Sequence, residues 1–187
     1  MTSWSKTIAI SAAAGAALGL LAFAARKKDV TTDRARAART VTIRRDAADV
    51  QRTFRDPEIL PQFFRGLQGV ESLGAGRQRW IFSGRAHRSL AVDIEVVDDV
   101  EGQRFEWKTT PAAPFTGGGS LSIIPAPAGR GVQARLALHV EGPGAKAQAA
   151  FHRLFGAAPA QIAMESLRSF KALLETGEIP VSDAVLA

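Results

Sequence analysis

The sequence predicts an α+β fold: a curved antiparallel sheet of about seven strands, wrapped on a long C-terminal helix and preceded by a single N-terminal transmembrane helix. Three observations predict it. Between residues 70 and 140, apolar side chains recur at every second position. Near the C-terminus they recur at helical spacing, at Ala163, Leu167, Phe170 and Leu174. From Thr7 to Ala25, 19 residues pass without a charge. A half-solvated sheet needs a cover for its apolar face, and the C-terminal helix is the only predicted element long enough.

The N-terminal run contains nine alanines and six strongly apolar residues: Ile8, Ile10, Leu18, Leu20, Leu21 and Phe23. As a helix it would extend ~28 Å, close to a ~30 Å hydrocarbon core. Trp4 stands where an interfacial aromatic anchors such a helix. Gly15 and Gly19 form a GxxxG pair, which allows a homodimer through the anchor. Arg26, Lys27 and Lys28 follow at once, whereas Lys6 is the sole basic side chain before the run. The positive-inside rule then places the C-terminal body in the cytoplasm. Ala22-Phe23-Ala24 also fits a signal-peptidase site, but the positive charge after it opposes translocation. Residues 1–28 are therefore read as the anchor and 29–39 as a basic linker. The folded domain spans 40–176, and 177–187 form a tail.

The net charge of +6 in 187 residues invites a nucleic-acid reading. Its distribution removes that reading. The first 45 residues hold nine basic and two acidic side chains, whereas the remaining 142 hold 15 and 16. The body carries −1 and lacks a basic footprint. The chain has no cysteine, which excludes disulfides, thiolate metal sites and a cysteine nucleophile.

Within the body, Thr40–Arg45 alternates and reads as a strand. Asp46 is placed to cap a short helix through Arg55, with Asp49 in its first turn. Pro57 opens a second helix, with Ile59, Leu60, Phe63, Phe64 and Leu67 on one side and Gly66 and Gly69 ending it. Val70–Leu73 and Gln78–Ser83 flank a Gly74-Ala75-Gly76 turn, a hairpin signal. Further strands follow around Leu90–Val97, Phe105–Trp107, Leu121–Ile123 and Val132–Val140. Pro111–Gly119 reads as a Pro/Gly-rich loop. Phe151, Leu154 and Phe155 begin the helical end, Pro159 interrupts it, and Gly177 and Pro180 close it.

This order, with these residues, resembles the START-like (helix-grip) superfamily. It is most similar to the bacterial polyketide cyclase/dehydrase and coenzyme Q-binding group. Leu60-Pro61-Gln62-Phe63, Trp80, Phe105-Glu106-Trp107 and the closing Leu173–Pro180 carry the resemblance, which covers about residues 39–180. One departure is Ala47-Ala48, where the family usually has proline. The resemblance implies a cavity between the long helix and the sheet that takes an apolar ligand: a lipid, isoprenoid or quinone-like molecule. Phe63, Phe64 and Leu67 would lie at its mouth. Trp80, Phe82, Val92, Ile94, Phe105, Trp107, Leu121, Leu136, Phe151, Phe155, Leu167 and Phe170 are candidate wall residues. By periodicity alone each is also an ordinary core residue.

No catalytic or metal constellation stands out. His87, His139 and His152 have no partner at ligand spacing, and GxSxG, HExxH and P-loop motifs are absent. Asp93 and Glu95 share the solvent face of one strand; Arg44, Arg45, Arg77 and Arg79 read as solvated charges. The expectation is a tethered binding domain without catalytic residues, metal or cofactor. The alternatives are a cyclase/aromatase-like enzyme or an anchored protein-interaction module with a filled core.

Overall fold

In a computed structural model the described residues are 34–83, 89–141, 149, 152 and 155–179. The first strand, β1 (Arg34–Ile43), starts six residues earlier than Thr40, so residues 34–39 belong to the sheet and not to a linker. Locally the segment RARAAR has little strand preference. Its conformation is supplied by a distant partner, with Ala37 opposite Leu138 and Ile43 opposite Val132.

Helix α1 (Ala47–Arg55) follows, and Asp46 caps it as expected: its carboxylate accepts the Asp49 N–H at 2.9 Å. Val50 and Phe54 turn fully inward. Gln51 is also buried and fastens the helix to the sheet. Its Nε2 donates to Asp99 Oδ1 (2.7 Å) and to the Arg104 carbonyl (3.0 Å), and its Oε1 accepts the Gly102 N–H. Helix α2 (Leu60–Phe63) is a single turn, shorter than the predicted one. Phe64 is already extended and Gly66 sits at φ +79°, which sends the chain into the sheet at Leu67.

The remaining strands are β2 (Leu67–Gly74), β3 (Arg77–Ser83), β4 (Ser89–Val100), β5 (Arg104–Thr109), β6 (Gly117–Pro125) and β7 (Val132–Glu141). They form one antiparallel sheet in the order β1-β7-β6-β5-β4-β3-β2. Strand β6 corrects the loop reading of Gly117–Gly119. Gly119 lies opposite both Trp107 and Leu138, and a Cβ there would come within 2.9 Å of Leu138 Cδ2 and collide with the Trp107 ring. The glycines are a strand that yields space to an aromatic neighbour.

The long helix α3 (Pro159–Thr176) crosses the inner face of β1 and β7, with Ala163, Leu167 and Phe170 fully buried. Gly177 ends it at φ +75°, its N–H donating to Leu173 O at 2.9 Å. Its C-terminal part is clamped to the end of β1. Lys171 Nζ donates to Thr42 O (2.6 Å), Arg44 N to Glu175 Oε1 (2.9 Å) and Arg45 Nε to Leu174 O (2.7 Å). Midway, Ser166 Oγ accepts the Arg65 N–H at 3.0 Å.

Among the described residues no helix is long and apolar enough to cross a membrane. The expected anchor, with Trp4, Gly15, Gly19, Arg26, Lys27 and Lys28, lies outside the described residues.

Candidate functional site

The inner face of the sheet carries two aromatic groups. One lies beneath α1, where Phe54 touches Phe63 (ring centroids 5.6 Å), Phe105 (6.1 Å), Trp107 (6.0 Å) and Phe170 (5.6 Å). Phe63 and Phe170 approach to 4.4 Å. This group is close-packed, its rings all buried.

The other group surrounds a void of about 50 Å³. Its walls are Phe64, Trp80, Phe82, Val92, Ile94, Trp107, Thr109, Phe115, Gly118, Leu138, His139, Phe155 and Ile162. Phe155 makes edge contacts with Phe82 (4.9 Å, 83°) and Phe115 (5.6 Å, 89°). Phe64 meets Trp80 at 5.5 Å, and Trp80 meets Trp107 at 5.3 Å. Topology explains the position. The ends of β3, β5 and β7 and the starts of β1, β4 and β6 lie at one end of the antiparallel sheet, and the cavity sits there. The α1 group is nearer the opposite end.

Seven of the fifteen predicted pocket residues border the void: Phe64, Trp80, Phe82, Val92, Ile94, Trp107 and Phe155. Of the three expected at the mouth, only Phe64 does so. Phe63 turns into the α1 group, and Leu67 is buried at the start of β2. Phe105, Leu121, Leu136, Leu167 and Phe170 are filled core. Phe151 lies outside the described residues. The residues missed are Thr109, Phe115, Gly118, Leu138, His139 and Ile162. Leu138 had the right strand alternation; Phe115 and Gly118 were hidden in the presumed loop.

The walls offer almost no polarity. Thr109 Oγ1 accepts the Gly117 N–H (3.0 Å) and donates to its carbonyl (3.3 Å). The Trp80 indole N–H donates to Gln78 Oε1 at 2.9 Å. His139 reaches the void only along the strand: a Cβ built on the outward Gly118 would lie 3.1 Å from its ring, which places that ring on the outer face.

Charges stay on the outer face. Arg79 donates to both Asp93 oxygens (2.7 and 3.1 Å), and this hydrogen bonding holds the Asp93 carboxyl below the usual range and the Arg79 guanidinium above its own. Glu95 pairs with Lys108 at 3.3 Å. No group of three His, Asp or Glu side chains able to hold a metal occurs among the described residues. Two larger depressions, of about 660 and 490 Å³, are polar surface grooves, one beside Gln51, Arg52 and Arg55, the other over Arg36, Arg104 and Arg135. The aromatic-walled void differs from both in its lining, which is almost wholly apolar.

The same sheet-plus-helix architecture occurs in crystal structures of bacterial proteins. One from Deinococcus radiodurans is 26% identical, with a TM-score of 0.62 over 76% of this chain and 98% of its own. One from Chromobacterium violaceum is 15% identical, with a TM-score of 0.58 over 75% and 97%. A third, from Rhodobacter sphaeroides, is 16% identical, with a TM-score of 0.57 over 77% and 94%. No protein-family model and no curated protein matches the sequence.

Proposed function

We propose that this is a START-like domain that binds an apolar small molecule, lipid or isoprenoid in character, between α3 and the sheet. We further propose that residues 1–28 tether it to the cytoplasmic face of a bacterial membrane, which supplies the ligand. The observation that carries the reading is the aromatic-walled void in a core that is elsewhere close-packed. Sites that enclose a whole ligand measure roughly 300–1,000 Å³. A void of about 50 Å³ seats only a few carbon atoms, so a longer ligand requires the Phe82, Phe115 and Phe155 rings to move aside. Binding would draw on apolar burial, at about 25 cal/mol per Å². Tethering would keep the domain at high effective concentration beside the bilayer.

Solvent extraction of the purified full-length protein, followed by mass spectrometry, tests this. A stoichiometric apolar molecule is the expected result. An empty protein that also takes up nothing from lipid vesicles overturns it. The small size of the void favours a second reading in that event: an interaction module with a filled core. A cyclase-like enzyme would need acid or base side chains converging in the cavity; among the described walls His139 alone is of that type, and its ring lies on the outer face of β7.

A further inference from the structure

We infer that the outer face of the sheet, at its β1–β7 edge, is the surface that lies against anionic phospholipid, with a headgroup phosphate seated between Arg36 and Arg135. This rests on the reading of residues 1–28 as a tether and adds which face of the domain meets the bilayer.

Strand register builds the seat. Buried Leu136 and Leu138 flank Ala137 in β7, so Arg135, Ala137 and His139 point to the outer face. Their partners in β1 are Thr40, Ala38 and Arg36. In β6 the same rows continue as Ser122, Ser120 and Gly118. The middle row, Ala38, Ala137 and Ser120, is made of small side chains and floors the depression of about 490 Å³. The rows that carry Arg36 and Arg135 lie on either side of it, four residues apart along the strand, or about 13 Å.

Charge decides what this trough takes. Arg36, Arg104 and Arg135 line it, against the single carboxylate of Glu106. Arg104 is committed to Glu106 and lies 3.4 Å from Asp98. Arg36 and Arg135 are exposed, and among the described residues no carboxylate pairs with either. Farther across the same face, Asp93 answers Arg79 and Glu95 answers Lys108. Positive charge is therefore left over at the β1–β7 edge. A guanidinium presents a fork of donors that fits phosphate oxygens, and a surface of anionic lipid attracts each such side chain.

Position supports the same face. On the tether reading, β1 opens at Arg34, nine positions after Ala25, a length of chain that spans at most about 30 Å. Leu138 and His139 border both the trough and the aromatic-walled void. Docking at the trough would bring the end of the sheet that holds the void to the bilayer that supplies its ligand.

The chain has no cysteine, so Ser120→Cys places a single thiol on the trough floor of the full-length protein. Glu58→Cys places one at an exposed site just before α2, on the helical side of the sheet. Each protein is inserted into nanodiscs of phosphatidylcholine, or of equal parts phosphatidylcholine and phosphatidylglycerol, and treated with an uncharged maleimide. The trough thiol is expected to react roughly fivefold more slowly in the mixed discs, and the thiol before α2 at one rate in both. Arg36→Gln combined with Arg135→Gln abolishes the difference, as does high salt. Equal rates at the trough in the two discs, or equal slowing of both thiols, overturn the docking face and leave the tether reading intact. Protection of the trough thiol by dissolved glycerol 3-phosphate, with no difference between the discs, assigns the trough to a soluble anion and also overturns it. Protein that stays with neither disc overturns both.

Discussion

The core beneath α1 and the core around the void are made of the same aromatic side chains, yet one is filled and the other is not. The difference lies in what covers each. Over the first, α1 and α2 bring Phe54 and Phe63 down onto Phe105 and Phe170, and Gln51 fixes α1 to the β4–β5 turn with hydrogen bonds. Over the second, closure depends on Phe115 and Phe155, both only partly buried, with Phe155 followed by Gly156 at φ +69°. Composition therefore does not decide whether a core closes. Anchorage of the covering segment does.

Several substitutions would sharpen or break this contrast. The largest effect belongs to Phe54→Ala, which removes a fully buried ring from the filled half and should cost about 3–5 kcal/mol by urea unfolding. Gln51→Ala strips partners from the Gly102 N–H and the Arg104 carbonyl, and should cost about 1–3 kcal/mol. If both left stability unchanged, the filled half would not be the anchored one.

Gly119→Ala forces a methyl group against Trp107 and Leu138, and should cost about 1–3 kcal/mol with a changed tryptophan emission. An unchanged emission would mean that the indole does not depend on that glycine. Phe155→Ala sits over the void and should cost about 1–2 kcal/mol, less than Phe54→Ala, because that ring is only partly buried. A loss as large as that of Phe54→Ala would erase the distinction between the halves.

The smallest effect is electrostatic. Hydrogen bonding from the Asp49 N–H holds the Asp46 carboxyl below the usual carboxylate range. Its contribution to stability is therefore present above the ordinary carboxylate pKa and lost as pH falls through the lowered value. Asp46→Ala should lower the thermal midpoint slightly at neutral pH and reduce its fall in acid. An identical acid slope in the variant would remove Asp46 from the account.

The contrast also marks where reading the sequence stops. Alternation put Trp80, Phe82, Val92, Ile94 and Trp107 on the inner face, and all five border the void. The Asp46 cap, the Gly177 stop and the seven-stranded antiparallel sheet were likewise legible, since each depends on local chemistry. Phe63 and Phe64 show the limit. They are adjacent in sequence, and both were placed at the mouth, but one closes the core and the other borders the void. Their fates are set by where α2 ends, which depends on Gly66 and on the pairing of β2. Residues 34–39 and Gly117–Gly119 differ from the sequence expectation for the same reason. Each is a strand only because a distant partner makes it one.

The pairing of Trp80 with Trp107 has an optical consequence. The chain has no tyrosine and three tryptophans, so its absorbance near 280 nm comes from indoles alone. Two of those chromophores touch in the wall of the same small space, with centroids 5.3 Å apart and planes inclined by 39°. Transition dipoles at that separation couple, and the split circular-dichroism band they produce varies with their mutual angle. The cavity wall thus carries its own spectroscopic reporter, and a change in the angle between these two rings would register in the unlabelled protein.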